Sequence, residues 1–580
     1  MDRGKKWEIL SEVKGLKSLK SKESQPNGEF LIDDVVKLLL NNRGLKNKKE
    51  IENFLNPNFE DITISSVGID KKAVAKTVDR LQKVKADNEG IVIFGDYDVD
   101  GITGTAIMWE TLYGLGFKVT PYIPHRVEEG YGLSQKGIEN VLSEKPDTKV
   151  IVTVDNGIVA NEAVEYAKKK GIDVIISDHH TVGKKLPDAY AIVHTTKLCG
   201  SSVAYLLSEE IKSSVESNSG KNSARRGKDN TLAKGYQEVP SDHLALAALA
   251  TVADLVPLQD ANRAILVEGL KYLHKTNRPG LLAMCNEAQV SPKDISVYTI
   301  GHILGPRINA MGRMESAMDS LRLLCTKDRM QAKVYADKLG STNRQRQILT
   351  QSLSEHAKKY VKDRESLKNI LIVANDSYEE GIIGLIAGKL VEEFYRPAIV
   401  IAKGERVSKA SARSVSGFNI IDFIRSASHL LINAGGHPMA AGFSIETDKI
   451  KMLQEFLENA AQKEIGSDIL QRIVKIDCPL PLNLISENLY EKIQELGPFG
   501  MGNPEPVFSA EARVEDIRTV GQEGKHLKLK VNGMDAIAFG MGEMQSKLKV
   551  GDNIQFAYTI DMNVWRDKRN LQLKLRDIKI

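Results

Sequence analysis

Short apolar runs that alternate with helix-like stretches between residues 74 and 192 constrain the fold of this 580-residue chain more than any other feature. The runs end at Phe94, Val154 and Ile176. The helices predicted in this region are Thr103–Leu115, Leu133–Ser143 and Asn161–Lys170. This alternation predicts a doubly wound α/β domain with a parallel sheet. Ligands bind at the carboxyl ends of the strands in such sheets, so the residues that follow the three runs should line one crevice.

Acidic residues and two histidines follow these runs, and one more aspartate closes the alanine-rich stretch Leu244–Ala250. The set comprises Asp96, Asp98, Asp100, Asp155, Asp178, His179, His180 and Asp254. A single aspartate in such a position is more often a helix cap than a metal ligand. The first three members repel one another strongly unless a cation lies among them, and the glycine that follows, Gly101, allows a tight turn. The combination therefore favours a metal site.

The donor atoms of this set indicate which ions it would hold. Carboxylates outnumber imidazoles and thiols are absent, which favours Mn²⁺ or Mg²⁺ over Zn²⁺. Five or six ligands suit two ions about 3.5–4 Å apart, an arrangement typical of phosphoryl displacement. His179 and His180 are adjacent and should point in opposite directions on extended backbone. One of them could bind metal while the other donates to a phosphate oxygen.

Composition excludes several classes of protein. The four cysteines are scattered without CxxC spacing, which predicts a reducing cytoplasm and neither a zinc site nor a disulfide framework. No secretory signal is recognisable, and no run approaches the roughly 18 apolar residues of a membrane span. We therefore expect a soluble cytoplasmic protein without a membrane partner. The net charge of +4 is too small to indicate nucleic acid by itself.

The rest of the chain divides by pattern. Residues 1–60 are charged and helix-prone, and residues 213–237 are polar and are predicted to form a surface loop or insertion. Helical periodicity over residues 316–364 predicts a long connecting helical region. A second α/β unit begins at Ile370, and short alternating runs from Pro506 onward suit a small antiparallel barrel.

The Asp178-His179-His180 triplet resembles the signature of the DHH phosphoesterase superfamily, and the chain from about residue 70 onward resembles its RecJ branch of single-strand-specific 5′→3′ exonucleases. The further stretches that carry this resemblance are Gly130–Ser134, Leu304–Asn309, Gly435–Gly442 and Leu496–Pro504. The resemblance implies an α/β architecture with a DHH catalytic domain, a connecting helix, an α/β DHH-associated domain and a C-terminal OB-fold barrel. The predicted segments are residues 1–60 (N-terminal helical), 61–315 (DHH catalytic), 316–365 (connecting helix), 366–460 (DHH-associated), 461–505 (linker) and 506–580 (OB fold).

The resemblance also implies roles for the acidic cluster. The metal ligands would be Asp98, Asp100, Asp155, His179 and Asp254, and the catalytic residues Asp96, Asp178 and His180. Of the latter, Asp96 would lie near the metals or be a ligand itself, and His180 would contact the scissile phosphate.

Basic and glycine-rich stretches are candidates for substrate contacts. The resemblance points to Arg126, Ser411 and Arg413 as a pocket for a terminal phosphate, because guanidinium grips phosphate bidentately. Arg126 could instead form a surface salt bridge with Glu128 or Glu129. The backbone amides of Gly435-Gly436-His437 could approach a phosphate, or the segment could be a plain turn.

Two further groups have competing interpretations. Arg307, Asn309 and Arg313 lie in a loop-like stretch, where they could contact the nucleic-acid backbone or form a polar network that links helices. In the predicted barrel, aromatic residues interleave with lysines and could stack on bases or fill the core. These residues are Lys525, Lys528, Lys530, Lys547, Lys549, Phe539, Phe556, Tyr558 and Trp565.

The expected function is a Mn²⁺- or Mg²⁺-dependent, two-ion exonuclease that degrades single-stranded DNA from its 5′ end to 5′-mononucleotides in repair and recombination. The resemblance implies a monomer that works with a helicase and a single-strand-binding protein. One alternative is a DHH phosphodiesterase acting on short oligoribonucleotides or cyclic dinucleotides, although such relatives generally lack the OB domain. Another is a catalytically inactive scaffold, which the intact ligand positions disfavour.

Overall fold

The computed structural model describes residues 5–12, 28–126, 129–223, 242–565 and 568–580. The chain forms two compact units. One contains residues 57–463 and 500–502, and the other contains residues 1–56, 464–499 and 503–580. No helix within the described ranges is long and apolar enough to cross a bilayer.

The sequence predicted a helical N-terminal segment, but the described part of this segment also contains a strand. Its elements are β1 (Lys6–Ile9), α1 (Gly28–Asn42) and α2 (Lys48–Leu55). The four residues of β1 pair in parallel with Ile473–Ile476, more than 460 positions away along the chain. A local pattern of charge cannot reveal such a partner, which is why this strand was missed.

The first α/β domain is built around a five-stranded parallel sheet of order β3-β2-β4-β5-β6. All six residues of its interior strand β2 are buried, as a sheet covered by helices on both faces requires. The elements up to residue 362 are α3 (Lys71–Ala86), β2 (Gly90–Gly95), α4 (Val99–Gly114), β3 (Val119–Tyr122), α5 (Gln135–Glu144), β4 (Thr148–Val154), α6 (Asn161–Lys169), β5 (Asp173–Asp178), β6 (Ala191–His194), α7 (Gly200–Ser223), α8 (His243–Ala253), α9 (Asp260–His274), α10 (Pro279–Glu287), α11 (Val297–Thr299), α12 (Gly305–Met314), α13 (Met318–Cys325) and α14 (Arg329–Lys362).

Three helical segments differ from the sequence expectation. Helix α7 continues to Ser223, so the first part of the predicted 213–237 loop is helical, while residues 224–241 lie outside the described ranges. The stretch around Arg307 is helix α12 and not a loop. The connecting region consists of two helices, because Asp328 accepts hydrogen bonds from the amides of Met330 and Gln331 and starts α14 anew.

The second α/β domain contains a five-stranded mixed sheet of order β10-β11-β9-β8-β7, in which only β7 and β8 are parallel. Its helix α15 packs on this sheet, where Ile386 and Leu390 are fully buried. The elements are β7 (Leu371–Asn375), α15 (Ile383–Phe394), β8 (Ala398–Ala402), β9 (Val407–Arg413), α16 (Ile420–Arg425), β10 (Leu431–His437), β11 (Ala440–Glu446) and α17 (Ile450–Glu464).

The C-terminal barrel closes because β14 pairs with both β15 and β17. The elements from residue 473 onward are β12 (Ile473–Ile476), β13 (Cys478–Pro479), α18 (Glu487–Gln494), β14 (Phe508–Val520), β15 (His526–Val531), β16 (Met534–Ala538), β17 (Asn553–Trp565) and β18 (Lys568–Lys579). Three of these elements fall within the stretch predicted as a linker. Phe556 and Tyr558 are fully buried in the core, whereas Phe539 is 55% exposed. The side chain of Trp565 lies outside the described part of the chain.

Candidate active site

The three aspartates that follow β2 lie at the start of α4: Asp96 is in the short connection, Asp98 caps the helix and Asp100 is in its first turn. One carboxylate oxygen of Asp98 accepts hydrogen bonds from the amides of Asp100, at 2.9 Å, and Gly101, at 3.1 Å. A Cβ atom at Gly101 would lie 2.6 Å from the Cα of Asp96, so the turn requires glycine at this position. Gly101 itself is helical, and its role is this close approach to the Asp96 backbone, which keeps all three carboxylates at the end of the strand.

Helix α7 holds Asp100 through its N-terminal amides. The amides of Gly200 and Ser201 donate to the two oxygens of Asp100 over 2.6 Å each. A Cβ atom at Gly200 would lie 2.7 Å from the Cβ of Asp155. Glycine thus lets the start of α7 approach both carboxylates closely. Asp155 itself has a left-handed backbone, with φ of 63°.

Asp178 orients the histidines that follow it. One of its oxygens accepts from the amide of His179 at 2.7 Å and from the ring Nδ1 of His180 at 2.8 Å, and the other accepts from the amide of Ile158 at 2.9 Å. Burial alone would raise the pKa of Asp178, but the hydrogen bond and charge of His180 outweigh it and lower the pKa. Both oxygens of Asp178 are therefore engaged within the protein.

The remaining ligand candidates converge from four segments of chain. The Nε2 of His179 lies 3.1 Å from Asp155 and 3.6 Å from both Asp100 and Asp254. Asp100, His179 and Asp254 each offer an atom within 4.8 Å of the others, and so do Asp96, Asp98 and Asp155. Asp155, His179 and His180 form a third such group, which shares Asp155 or His179 with each of the other two.

The chemistry of these residues fits divalent cations. Asp96 Oδ1, Asp155 Oδ1 and His179 Nε2 are buried and have no hydrogen-bond partner among the described residues. Each such atom costs about 1–3 kcal/mol if it stays unpaired. Burial and the neighbouring carboxylates raise the pKa of Asp155 and Asp96, and burial lowers the pKa of His179. Cations would pair all three atoms and neutralise the crowded carboxylates.

His180 differs from His179 in its electrostatics. Burial alone would lower its pKa, but the hydrogen bond and charge of Asp178 and the charges of Asp254 and Asp96 raise the pKa of His180 to about 9. The protonated ring donates through Nδ1 to Asp178. Its Nε2 lies 3.0 Å from the hydroxyl of Tyr131, a contact that the sequence did not suggest.

Arginine side chains form a second feature beside the metal cluster. Burial, and then the charges of Arg126, Arg413 and Arg346, lower the pKa of Arg313 to about 10. The pKa of Arg413 is likewise lowered by burial and by Arg126. Cations that destabilise one another in this way form a favourable environment for an anion.

The start of α15 lies against this arginine cluster. A Cβ atom at Gly384 would lie 2.9 Å from Arg413 Nη2 and 3.0 Å from Ser411 Oγ. The guanidinium of Arg313 donates to the carbonyl of Gly381 at 3.1 Å. Arg346 Nε is buried with no hydrogen-bond partner within the described ranges. Sequence reasoning missed Arg346 because it lies on the long helix α14, outside any recognisable motif.

Arg126 and Glu129 have different partners, although the sequence left a salt bridge between them open. Glu129 accepts hydrogen bonds from Tyr122 and from the amide of His125, and Arg126 instead stacks on Tyr97 with its Cζ 4.9 Å from the ring centroid. Glu128 lies outside the described residues.

Arg307 and Asn309 belong to a polar network that links helices. Arg307 pairs with Glu287 at 2.7 Å. Asn309 accepts from the amide of Val99 at 2.9 Å and so supports the turn that carries the aspartates. Direct contact of these two residues with nucleic acid stays a prediction, whereas Arg313 joins the arginine cluster.

The glycine-rich segment lies at the end of a hairpin strand. Gly435, Gly436 and His437 are the last residues of β10, and they pair with Gly442, Ala441 and Ala440 of β11. The ring centroid of His437 lies 6.2 Å from that of His180. The second α/β domain therefore reaches the metal side of the first.

Comparison with known proteins agrees with this organisation. Residues 90–250 match the N-terminal domain of the DHH family, residues 367–463 the DHHA1 domain and residues 476–577 the RecJ OB domain. The single-stranded-DNA-specific exonuclease RecJ of Bacillus subtilis is 32% identical over 565 residues, which cover 95% of this chain and 68% of that protein. RecJ of Salmonella typhimurium is 30% identical, with 98% and 100% covered.

Solved structures show the same fold. The crystal structure of Thermus thermophilus RecJ in complex with Mn²⁺ has a TM-score of 0.81 at 25% identity, covering 100% of this chain and 80% of that one. Its complex with Mg²⁺ has a TM-score of 0.75 at 23% identity, with 99% and 78% covered. The fold and the acidic site define a metal-binding phosphoesterase of the DHH class. Within that class, the chain belongs to the RecJ family of single-stranded-DNA-specific exonucleases.

Proposed function

We propose that this protein is a metal-dependent exonuclease that hydrolyses single-stranded DNA from its 5′ end to 5′-mononucleotides. The observation that carries the proposal is the acidic cluster, with its unpartnered buried ligand atoms, beside a cluster of arginines in a chain of the RecJ family. Its relatives are named for an exonuclease activity on single-stranded DNA, and one of them binds Mn²⁺ and Mg²⁺.

The metal ligands in this proposal are Asp98, Asp100, Asp155, His179 and Asp254, with Asp96 beside them. They would hold two Mn²⁺ or Mg²⁺ ions, because their ligand atoms form overlapping groups of three at one edge of the sheet, an arrangement that suits a pair of ions. Bound divalent ions supply Lewis-acid activation of water and stabilise the charge that develops on the phosphate.

The protein's own side chains bind and orient the substrate. Nε2 of protonated His180 donates to an oxygen of the scissile phosphate, while Asp178 holds the opposite ring nitrogen at 2.8 Å. This fixed orientation stabilises negative charge on the phosphate without reorganisation. His437, whose ring stacks on that of His180, would with the amides of Gly435 and Gly436 limit where the strand can enter.

The polarity of digestion follows from the arginine cluster. Arg126, Arg313 and Arg413, with Ser411, would bind the terminal 5′-phosphate, and Arg346 adds a fourth positive charge that the sequence did not suggest. A strand anchored by this phosphate presents its first internucleotide linkage to the metal site.

The wider role is inferred from the family. We propose a cytoplasmic monomer that acts in DNA repair and recombination alongside a helicase and a single-strand-binding protein. The segment boundaries 61–315, 366–460 and 506–580 are kept as proposed domains. The match to the RecJ OB domain argues against a phosphodiesterase for cyclic dinucleotides or short oligoribonucleotides.

A digestion assay tests these points together. Single-stranded DNA labelled at its 5′ or 3′ end, duplex DNA and RNA are incubated with Mn²⁺, Mg²⁺ or EDTA. We expect release of the 5′ label as a mononucleotide from single-stranded DNA only, and only with metal. Asp155→Ala should abolish the reaction, whereas Asp188→Ala, which removes an exposed carboxylate paired with Lys168, should not. Full activity of Asp155→Ala would contradict the metal assignment, and release of the 3′ label would contradict the direction.

A further inference from the structure

Tyr131 occupies an unusual position at the edge of the active site. It lies between β3 and α5, flanked by Gly130 with φ of 86° and Gly132 with φ of 67°. Two left-handed glycines in this arrangement turn the backbone sharply on both sides of the tyrosine. The side chain is 52% exposed, so core packing does not account for its large aromatic ring.

The contacts of Tyr131 connect the arginine cluster with His180 of the metal site. Its hydroxyl lies 3.0 Å from Nε2 of His180, and its ring centroid lies 6.0 Å from that of His180. On the other side its ring meets that of Tyr97 edge-on at 6.2 Å. The guanidinium of Arg126 in turn lies over the ring of Tyr97, with its Cζ 4.9 Å from the ring centroid. A continuous row of rings therefore runs from the arginine cluster to His180.

This order of contacts restricts where a terminal nucleotide can lie. In the proposed function, the terminal phosphate is bound beside Arg126 and the scissile phosphate beside His180. The nucleoside that joins these two phosphates must then span the segment between them, which Tyr131 occupies. An exposed aromatic ring in contact with single-stranded nucleic acid typically stacks on a base without selecting its sequence.

We propose that Tyr131 is a substrate-contacting residue whose ring supports the terminal nucleoside between the anchored phosphate and the scissile phosphate. The inference rests on the proposed function and adds to it a contact with the terminal nucleoside, which is released in each turnover. In the free protein the hydroxyl occupies Nε2 of His180, and a phosphate oxygen takes its place when the strand binds. The ring, and not the hydroxyl, carries the substrate contact.

The test distinguishes the contribution of the Tyr131 ring to KM from that of its hydroxyl. It also distinguishes contacts with the base from contacts with the phosphate. Tyr131→Phe, Tyr131→Leu and the wild-type chain are assayed with Mn²⁺ on a 5′-phosphorylated strand and on the same strand with an abasic first nucleotide. Tyr131→Leu should raise KM on the normal strand about tenfold, the range expected for one lost base–aromatic contact. Tyr131→Phe should leave KM within about twofold, because the ring remains. On the abasic strand, wild type and Tyr131→Leu should have the same KM.

Matched controls make the result specific. Tyr272→Leu removes another partly exposed tyrosine, on α9, and should leave both KM values unchanged. Thermal melting should show that Tyr131→Leu remains folded. An unchanged KM for Tyr131→Leu on the normal strand, or an equal rise on both strands, would overturn the inference while leaving the proposed function intact. Failure of the wild-type chain to digest either strand would instead overturn the proposed function, and the inference with it.

Discussion

At the scale of single residues, the aspartates of the active site have different roles although they look alike in the sequence. Asp100 is fixed by two amides of α7, Asp155 leaves a buried oxygen unpaired, and Asp178 uses both oxygens within the protein. One oxygen of Asp178 accepts from the amides of His179 and His180 and from the His180 ring, whereas each oxygen of Asp100 accepts a single amide hydrogen bond and keeps a lone pair. Because metal ligands need free lone pairs, Asp178 is suited to orient His180, and the others are suited to bind cations.

Asp178→Asn should therefore separate catalysis from metal binding. The variant keeps the size of the side chain but loses the charge that holds the His180 ring protonated and oriented. We expect turnover to fall about 100-fold, as for other groups that orient active-site residues, with the affinity for Mn²⁺ nearly unchanged. Steady-state kinetics and calorimetric titration with Mn²⁺ measure the two effects. A parallel loss of Mn²⁺ affinity would mean that Asp178 is itself a ligand.

The same carboxylates predict how pH and metal act together on stability. Burial, together with Asp100 and Asp98, raises the pKa of Asp254 to about 9, and burial raises the pKa of Asp155. Groups with a raised folded-state pKa stabilise the fold below their unfolded pKa of about 4, and this contribution is lost as the pH rises toward the folded value. Mn²⁺ competes with protons for these groups.

The melting temperature of EDTA-treated protein should thus increase on addition of Mn²⁺ by more at about pH 8 than at about pH 5.5. Differential scanning calorimetry at both pH values measures the two increments. Asp254→Asn, which cannot titrate at this position, should reduce the difference between them. Equal increments at the two pH values in the wild-type chain would contradict the raised pKa values.

At the scale of elements, two antiparallel helices carry metal-ligand candidates at the same end. Helix α4 starts beside Asp98 and Asp100, and α8 ends at Asp254. At the far ends, about 15 Å from these ligands by helical rise, Glu110 of α4 accepts from His243 of α8 at 2.9 Å. Arg278 pairs with Glu110 at 2.8 Å and with Asp242 at 2.7 Å. The network therefore fixes one helix against the other.

Arg278→Met should destabilise this domain strongly. It leaves Glu110 and Asp242 without their shared cation, and breaking a buried pair of this kind costs about 3–5 kcal/mol. The control is Arg344→Met, because Arg344 is a largely exposed partner of Glu287 and should contribute less than about 1 kcal/mol. Urea denaturation measures both changes in the free energy of unfolding. A loss for Arg278→Met no larger than the control would show that the network is dispensable.

At the scale of the whole molecule, the buried core of the barrel includes side chains from outside the proposed segment 506–580. Val35, Leu39 and Phe54 from the N-terminal helices pack in the same buried core as Phe508 and Phe556. A truncation at residue 505 would split this core and expose apolar surface. The contribution of the barrel to binding is therefore better tested by substitution than by deletion.

Phe539, Lys525 and Lys530 are exposed on the barrel, and we expect them to contact single-stranded DNA. Phe539→Ala should weaken binding about tenfold through lost stacking. The double variant Lys525→Ala/Lys530→Ala should reduce the slope of log K against log salt concentration by about 1.4. Each phosphate contact to a single strand contributes about 0.7 to this slope. Fluorescence anisotropy over a range of salt concentrations measures both effects, and kcat at saturating substrate should not change. An unaltered affinity and slope would exclude these residues as contacts of the strand.

Much of the fold and of the candidate site was accessible from the sequence. The strands β2, β4 and β5 have short apolar runs, and their period and length indicate buried parallel strands. The acidic residues after them were recognisable because chain order places strand ends at one edge of the sheet. The strand β1, the break before α14 and the helical state of residues 305–314 were missed, since each depends on partners or caps outside the local pattern.

The class of fold, the family and the set of metal-binding candidates could be read from the sequence, because local periodicity and short motifs encode them. Only the folded chain shows which carboxylates keep free lone pairs for a metal, that Arg346 joins the arginine cluster, and that Tyr131 touches His180. It also decided that the N-terminal helices share the core of the barrel. The physical reason is that hydrogen-bond satisfaction, charge crowding and core packing are set by residues distant in the chain, and those contacts exist only after the chain has folded.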